Sequence, residues 1–488
     1  MKNHTIMQYF EWYLPSDQKH WQRLAQDSQH LAAIGITKVW MPPAFKGTGP
    51  DDVGYGVYDL FDLGEFDQKG TIATKYGHKD DYLAAIRALK EAGISPIADI
   101  VLNHKANGDD LESFQVLRMD PNNRQVPLSD PFEIEAWTHF YFPGRNKTYS
   151  DFEWHWYHFS GTDFDAKHQE TGIYMILGDH KGWADNELVD GEKGNYDYLM
   201  FTDIDYSHPD VLAHTYDWMR WFVATTGIEG FRLDAIKHID QDIIQGLIQE
   251  AKALYGEQFY VFGEFWKDSF KSNDRYLNET DFTFDLVDVG LHMNFFEASQ
   301  AGEHFDLRQI FQGSLVEHIP TSAVTFVENH DTQRGQALES TVDDWFKPLA
   351  YSLILLRQEG LPCVFYGDYY GISGEFSQAS FQDILDKLLY LRANHAYGEQ
   401  IDYFDDPNCI GWTQLGTEEH PYGLAVILSN ANFAEKRMHV GILNAGKTFV
   451  DGLGHHEFEV TIDEDGWGTF PVKAGSVSAW LAKEAIEN

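Results

Sequence analysis

Residues 230–238 read GFRLDAIKH, a short apolar run closing on a cluster of charged and imidazole side chains. On a strand, side chains two apart share a face, so Arg232 and Asp234 point one way while Phe231 and Leu233 pack the other. Apolar packing behind and polar chemistry at the C-terminal end is the pattern of a parallel barrel strand. The pattern recurs along the chain. Candidate strands fall at 6–10, 38–41, 96–102, 230–235, 260–265, 282–286, 323–327 and 363–366, mostly separated by helical stretches such as 82–91 and 213–224. Parallel strands need a crossover on every return, so eight such repeats predict an α/β fold built on a (β/α)8 TIM barrel. A doubly wound open sheet is the alternative, and it lacks the glycine-rich phosphate turn expected after an early strand.

Two stretches break the rhythm. About one hundred residues separate the third strand from the fourth, dense in aromatics and acids (FYFPGRNKTYSDFEWHWYHFSGTDFD) and too long for a loop. After residue 396 the helical pattern gives way to alternation, with Phe458, Val460 and Ile462 interleaved with Glu457, Glu459 and Thr461. DGWG and KAG supply turns there. The expected organisation is a barrel from 1–104 and 209–395, an inserted domain at 105–208, and a C-terminal antiparallel β-sandwich domain at 396–488. Trp467 and Trp480 read as core of that last unit.

Composition limits the partners. The 488 residues carry 36 Lys+Arg against 77 Asp+Glu, a net charge of −41. That excess counts against nucleic-acid backbones and anionic membranes, and points to neutral or cationic substrates. Mean hydropathy is −0.40 and no apolar run reaches membrane-spanning length. Aromatics make up 15% of the chain, a composition suited to a ligand with flat apolar faces. Cys363 and Cys409 read as buried small hydrophobes rather than a disulfide or thiolate metal site. The N-terminus shows no basic-then-apolar leader, which gives an expectation of a cytoplasmic protein; a secreted one with its leader removed is the alternative.

Four strand ends carry the chemistry. The third supplies Asp99, Asn103 and His104; the fourth Arg232, Asp234, Lys237 and His238; the fifth Glu264; the seventh Asn329, His330 and Asp331. A guanidinium beside Asp234 favours its ionised form. Asp234, Glu264 and Asp331 would converge from three strands, and close carboxyls cannot all ionise at neutral pH. One ionised nucleophile and one protonated acid are the equipment for retaining glycosidic cleavage. Single strand-end acids are more often caps or surface charges, but four polar ends in register are harder to explain that way.

These motifs carry a resemblance. DIVLNH (99–104), GFRLDAIKH (230–238), GEFW (263–266) and FVENHD (326–331) resemble, in order and placement, the α-amylase family, glycoside hydrolase family thirteen. MQYFEWYLP near the start, GYGVYDLFDLGEFDQKGTIATKYG after the second strand, NYDYLMFTDIDYSHPDV before the fourth and LPCVFYGDYYGI at the eighth look like the bacterial liquefying members, the cytoplasmic ones above all. The resemblance implies Asp234 as nucleophile, Glu264 as acid and then base, and Asp331 as transition-state stabiliser. It implies that Arg232 orients Asp234, that His104 and His330 bond the sugar in the cleaved subsite, and that Tyr55 stacks on it. Lys237, His238 and Trp266 fall on the leaving-group side.

The resemblance also implies a structural Ca2+ between barrel and inserted domain, held by Asn103, Asp197, Asp203 and the carbonyl of His238, oxygen donors of the kind that ion prefers. A further metal cluster of secreted relatives is put in doubt, because HFSGTD carries Ser160 where they have Asp and KGWADNE carries Ala184 at the matching position. The expected activity is endo-acting hydrolysis of internal α-1,4 bonds in starch, glycogen or maltodextrins by a monomer, with no nucleic-acid or membrane partner. A transglycosylase on the same scaffold and a non-catalytic glucan-binding protein are the rival readings. The second is opposed by the presence of all three carboxylates.

Overall fold

Short apolar strands buried on both faces form the centre of the molecule, as expected where helices cover a parallel sheet. The computed structural model describes residues 2–485. The barrel strands are β1 (Ile6–Gln8), β2 (Lys38–Met41), β3 (Ser95–Ile100), β4 (Gly230–Leu233), β5 (Tyr260–Gly263), β6 (Asp285–Val287), β7 (Ala323–Phe326) and β8 (Leu361–Phe365). They close in the order β1-β8-β7-β6-β5-β4-β3-β2, with every pair parallel. The register sets Arg232 level with Asp99 across β3 and β4. The helix before β4, Pro209–Thr226, starts with proline in its first turn and ends at Gly227 with φ 68, a left-handed stop that glycine adopts without strain.

Between β3 and β4 the chain builds a second sheet. Its order is His104–Lys105, Thr202–Ile204, Phe159–Asp165, Glu170–Ile176, Asp110–Met119, Phe132–His139. Its pairings are antiparallel, and it has its own core around Phe114, Ile134, Phe140, Trp154 and Phe159. Beyond the barrel, a six-stranded and a two-stranded antiparallel sheet share a core that includes Trp412, Met438, Phe470 and Trp480. Both cysteines are buried and free. No helix among the described residues is long and apolar enough to cross a membrane.

Three local expectations are corrected. The sixth strand starts at Asp285 rather than 282, because Phe282 lies at φ 51 in the left-handed turn that ends the preceding helix. The alternation at 457–462 yields only the two-residue strand Val460–Thr461; Phe458 is 51% exposed and outside it. Trp480 is core as expected, whereas Trp467 lies half-buried at the edge, 5.0 Å beneath the Arg437 guanidinium.

Candidate active site

Arg232 is the centre of the barrel mouth. Its Nη1 donates to Asp99 Oδ1 and to Asp234 Oδ1, each at 2.8 Å, and its Nη2 donates to Glu264 Oε2. Asp99 Oδ2 also accepts from Trp40 Nε1 at 2.9 Å and Tyr55 Oη at 2.8 Å. One buried cation therefore faces the carboxyls of β3, β4 and β5, and Asp331 adds a fourth from beyond β7. Burial, against the pull of Arg232, holds Asp234 well above the usual carboxylate range, with repulsion from Glu264, Asp99 and Asp331 adding to it. Burial and then repulsion from Glu264 push Asp331 up to about 8. This modifies the reading in which the guanidinium alone leaves Asp234 ionised: burial outweighs it, and raised proton affinity is shared by Asp234 and Asp331. Directly after Asp234, Ala235 sits at φ 50, ψ 36, a left-handed conformation that costs a non-glycine residue about 1–3 kcal/mol. The turn aims the Ala235 N–H at Glu264 Oε2, 3.4 Å away.

Above this cluster lies a cleft of about 590 Å³, walled by Tyr55, His104, Asp234, Lys237, His238, Glu264, Trp266, His330 and Asp331. Every substrate-contact residue expected from the sequence reaches it except Arg232, which lies beneath the carboxylates it binds. Gln8 Nε2 donates to His330 Nδ1 at 3.0 Å, which leaves the Nε2–H for Asp331 Oδ2 at 3.2 Å. His104 donates from Nε2 to the Tyr55 carbonyl at 2.7 Å. Burial lowers the proton affinity of both rings, His104 to about 4, so both are neutral donors. Lys237 reaches the Trp266 carbonyl and Glu192, each at 3.3 Å.

Sequence reasoning missed several walls of the cleft. Trp12 lies parallel to Tyr55 at 6.1 Å and to His330 at 6.2 Å, and Tyr196, Met200, Phe201 and Leu338 complete the apolar lining. Trp12 was findable, since it lies in the aromatic stretch MQYFEWYLP that runs on from the first strand, four residues past Gln8. Leu338 had no such signal.

Known proteins match this arrangement along the whole chain. The α-amylase catalytic-domain model matches residues 20–390 and the α-amylase C-terminal model residues 424–481. The chain belongs to the α-amylase family. It is 47% identical to an α-amylase of Geobacillus stearothermophilus over 99% of this chain and 87% of that protein. It is 42% identical to the cytoplasmic α-amylase of Escherichia coli K12 over 100% of both. Among solved structures, a crystal structure of an α-amylase from Geobacillus thermoleovorans complexed with acarbose superposes with a TM-score of 0.65 at 16% identity, covering 99% of this chain and 98% of that one. That last likeness speaks for the fold.

The cation positions expected of an α-amylase gather around a second cavity of about 330 Å³, which Asn103, Ser160, Lys181, Asp197, Asp205 and His238 line. Asp203 is buried beside it, its Oδ2 accepting from Ser160 Oγ while its Oδ1 has no hydrogen-bond partner. Burial lifts Asp197 to about 7 and, with Asp197 repelling it, lifts Asp203 well up. Two buried acids with an unpartnered oxygen suit a hard cation. On the wall of this cavity the chain supplies its own charge: the Lys181 ammonium donates to Asp205 Oδ2 and to the Phe159 carbonyl at 3.2 Å. His238 lines both cavities, and its Nδ1–H donates to the Tyr196 carbonyl at 2.6 Å.

Proposed function

We propose that this chain is an endo-acting, retaining α-amylase that cleaves internal α-1,4-glucosidic bonds of starch, glycogen and maltodextrins. The observation that carries the reading is the convergence of Asp234, Glu264 and Asp331 on one cleft, the first two held by Arg232. Asp234 attacks the anomeric carbon and forms a covalent glycosyl-enzyme. Glu264 gives its proton to the departing glycosidic oxygen and then takes one from the water that releases the sugar. Asp331 and the His330 Nε2–H bond the hydroxyls of the distorted ring, while Tyr55 covers its apolar face. Lys237, His238 and Trp266 hold the leaving-group side. Asp331, lifted to about 8, lets the cluster hold a proton near neutrality, while the Arg232 bond to Asp234 Oδ1 supplies the counter-charge that the attacking carboxylate form needs.

Asn103, Asp197, Asp203 and the His238 carbonyl would hold one calcium ion, whose contribution is to brace the inserted sheet against the barrel. The end-to-end match to a cytoplasmic relative supports a cytoplasmic setting with glycogen and maltodextrins as substrates. A proton NMR time course on maltoheptaose, read before mutarotation, tests the reading. Early α-anomeric short products are expected. Early β-anomers overturn retention, products longer than seven units move the assignment to a transglycosylase, and inertness toward both maltoheptaose and glycogen moves it to a binding protein.

A further inference from the structure

The inserted sheet carries a second cluster of ligand-type side chains, on a surface that the proposed hydrolysis does not use. Phe140 and Trp154 exchange backbone hydrogen bonds of 3.0 and 2.9 Å as an isolated antiparallel bridge. Counting outward from that pair, His139 faces His155 across the ladder. Glu153, two residues from His155, projects to the same side. Trp154 turns the opposite way into the core and is 2% exposed, so the face is anchored from behind. One ring nitrogen from each histidine and one Glu153 oxygen all lie within 4.8 Å of one another. The two rings stack at 4.5 Å with planes 17° apart.

A further contact orients the set. His155 Nδ1 lies 2.9 Å from Glu112 Oε1, and Glu112 Oε2 is itself fixed by the Thr138 hydroxyl and the Trp156 N–H, each at 2.7 Å. A carboxylate that takes the Nδ1–H leaves the Nε2 lone pair exposed, the arrangement by which proteins orient metal-binding imidazoles. We infer that His139, Glu153 and His155 form a binding site for a divalent transition-metal ion of the zinc class, with Glu112 as its orienting partner. Ligand distances of about 2.0–2.2 Å require donor atoms roughly 3.4 Å apart, which small rotations of these partly exposed side chains reach. Water completes the coordination. Lys147, 3.5 Å from Glu153, and Asp110, 3.9 Å from His139, are the surrounding charges, and the lysine must swing aside.

The neighbouring trio His158, His208 and Asp210 is a built-in control. There the Nδ1 atoms accept from the backbone N–H groups of His155 and Asp210, at 3.0 and 3.3 Å, so the remaining ring nitrogens carry protons instead of lone pairs.

The test is zinc titration of calcium-loaded, full-length protein against a chromophoric chelator, with cobalt absorption as a second readout. One equivalent of micromolar binding is expected, accompanied by a zinc-dependent rise in Tm. His139→Gln and His155→Gln should each remove it. Glu112→Gln should weaken it by about 10–100-fold, and His208→Gln should leave it unchanged. Glu153→Gln, a change at a partly exposed side chain, guards against a folding artefact and should weaken zinc several-fold with starch hydrolysis intact. No binding tighter than millimolar in the unmodified protein overturns the site, as does undiminished binding in the His139→Gln/His155→Gln double variant.

Discussion

Two buried acid clusters lie on either side of His238, and they differ in where their counter-charge comes from. Around Arg232 the chain provides the cation itself, and three carboxyls hydrogen-bond to it directly. Around Asp197 and Asp203 no lysine or arginine forms an ion pair with either acid among the described residues, and an Asp203 oxygen has no partner. The first arrangement fixes the carboxyls in position, so that their geometry does not depend on an ion from solution. The second would suit a structural role, because its counter-charge would have to come from solution. Lys181 on Asp205 marks the boundary between the two modes, a tethered charge beside the cavity that suits a free one.

The largest expected effect separates chemistry from architecture. Glu264→Gln should lower hydrolysis by at least ~10²–10⁴-fold while glucan affinity and Tm stay near their original values. Near-normal turnover would remove Glu264 from the acid role. Arg232→Met comes next, since removing one partner of a buried ion network costs about 3–5 kcal/mol. Its loss should also depend on pH. Carboxyls whose folded pKa is raised hold protons in the folded state that the unfolded chain releases above about pH 4, so stability falls as pH rises toward about 8, the value for Asp331. Without the guanidinium that penalty grows, and the drop in Tm should be larger at pH 8 than at pH 5. An equal drop at both would show that Arg232 acts by packing alone.

The other cluster should respond to ions rather than to substrate. Chelator is expected to lower Tm by several degrees, following the free-energy linkage of a ligand bound only to the folded form. Asp203→Asn should abolish most of that response, and an unchanged response would count against Asp203 as a ligand. The smallest effect is expected from Lys181→Met. Freed of its ammonium, Asp205 should make stability more dependent on calcium, seen as a wider gap between Tm with calcium and Tm with chelator. A gap that stays the same would mean the tethered charge and the ion site are independent.

The legibility of these features in the sequence follows their range. All eight barrel strands were readable as apolar runs, yet seven of them end one or two residues earlier than expected or are shifted, because turn geometry rather than hydrophobicity sets their limits. Asp234, Glu264 and Asp331 were visible as polar residues at strand ends, and Arg232 as the same-face neighbour of Asp234. Asp99 was visible too, but its bond to Arg232 depends on the register between two strands 131 positions apart in the chain, counted from Asp99 to Gly230. The short alternation at Phe458 misled because an isolated period-two pattern carries no information about whether a pairing partner is available.

Local sequence determined which segments become barrel strands, where polar chemistry gathers, and that the chain carries a net charge of −41. These depend on side-chain period and charge, which are properties of neighbours along the chain. Tertiary structure alone decided that Arg232 serves three carboxyls, that Lys181 neutralises Asp205, that His238 stands between two cavities, and that His139 meets His155. Each depends on strand register or burial, and both are set only when distant segments compete for the same interior.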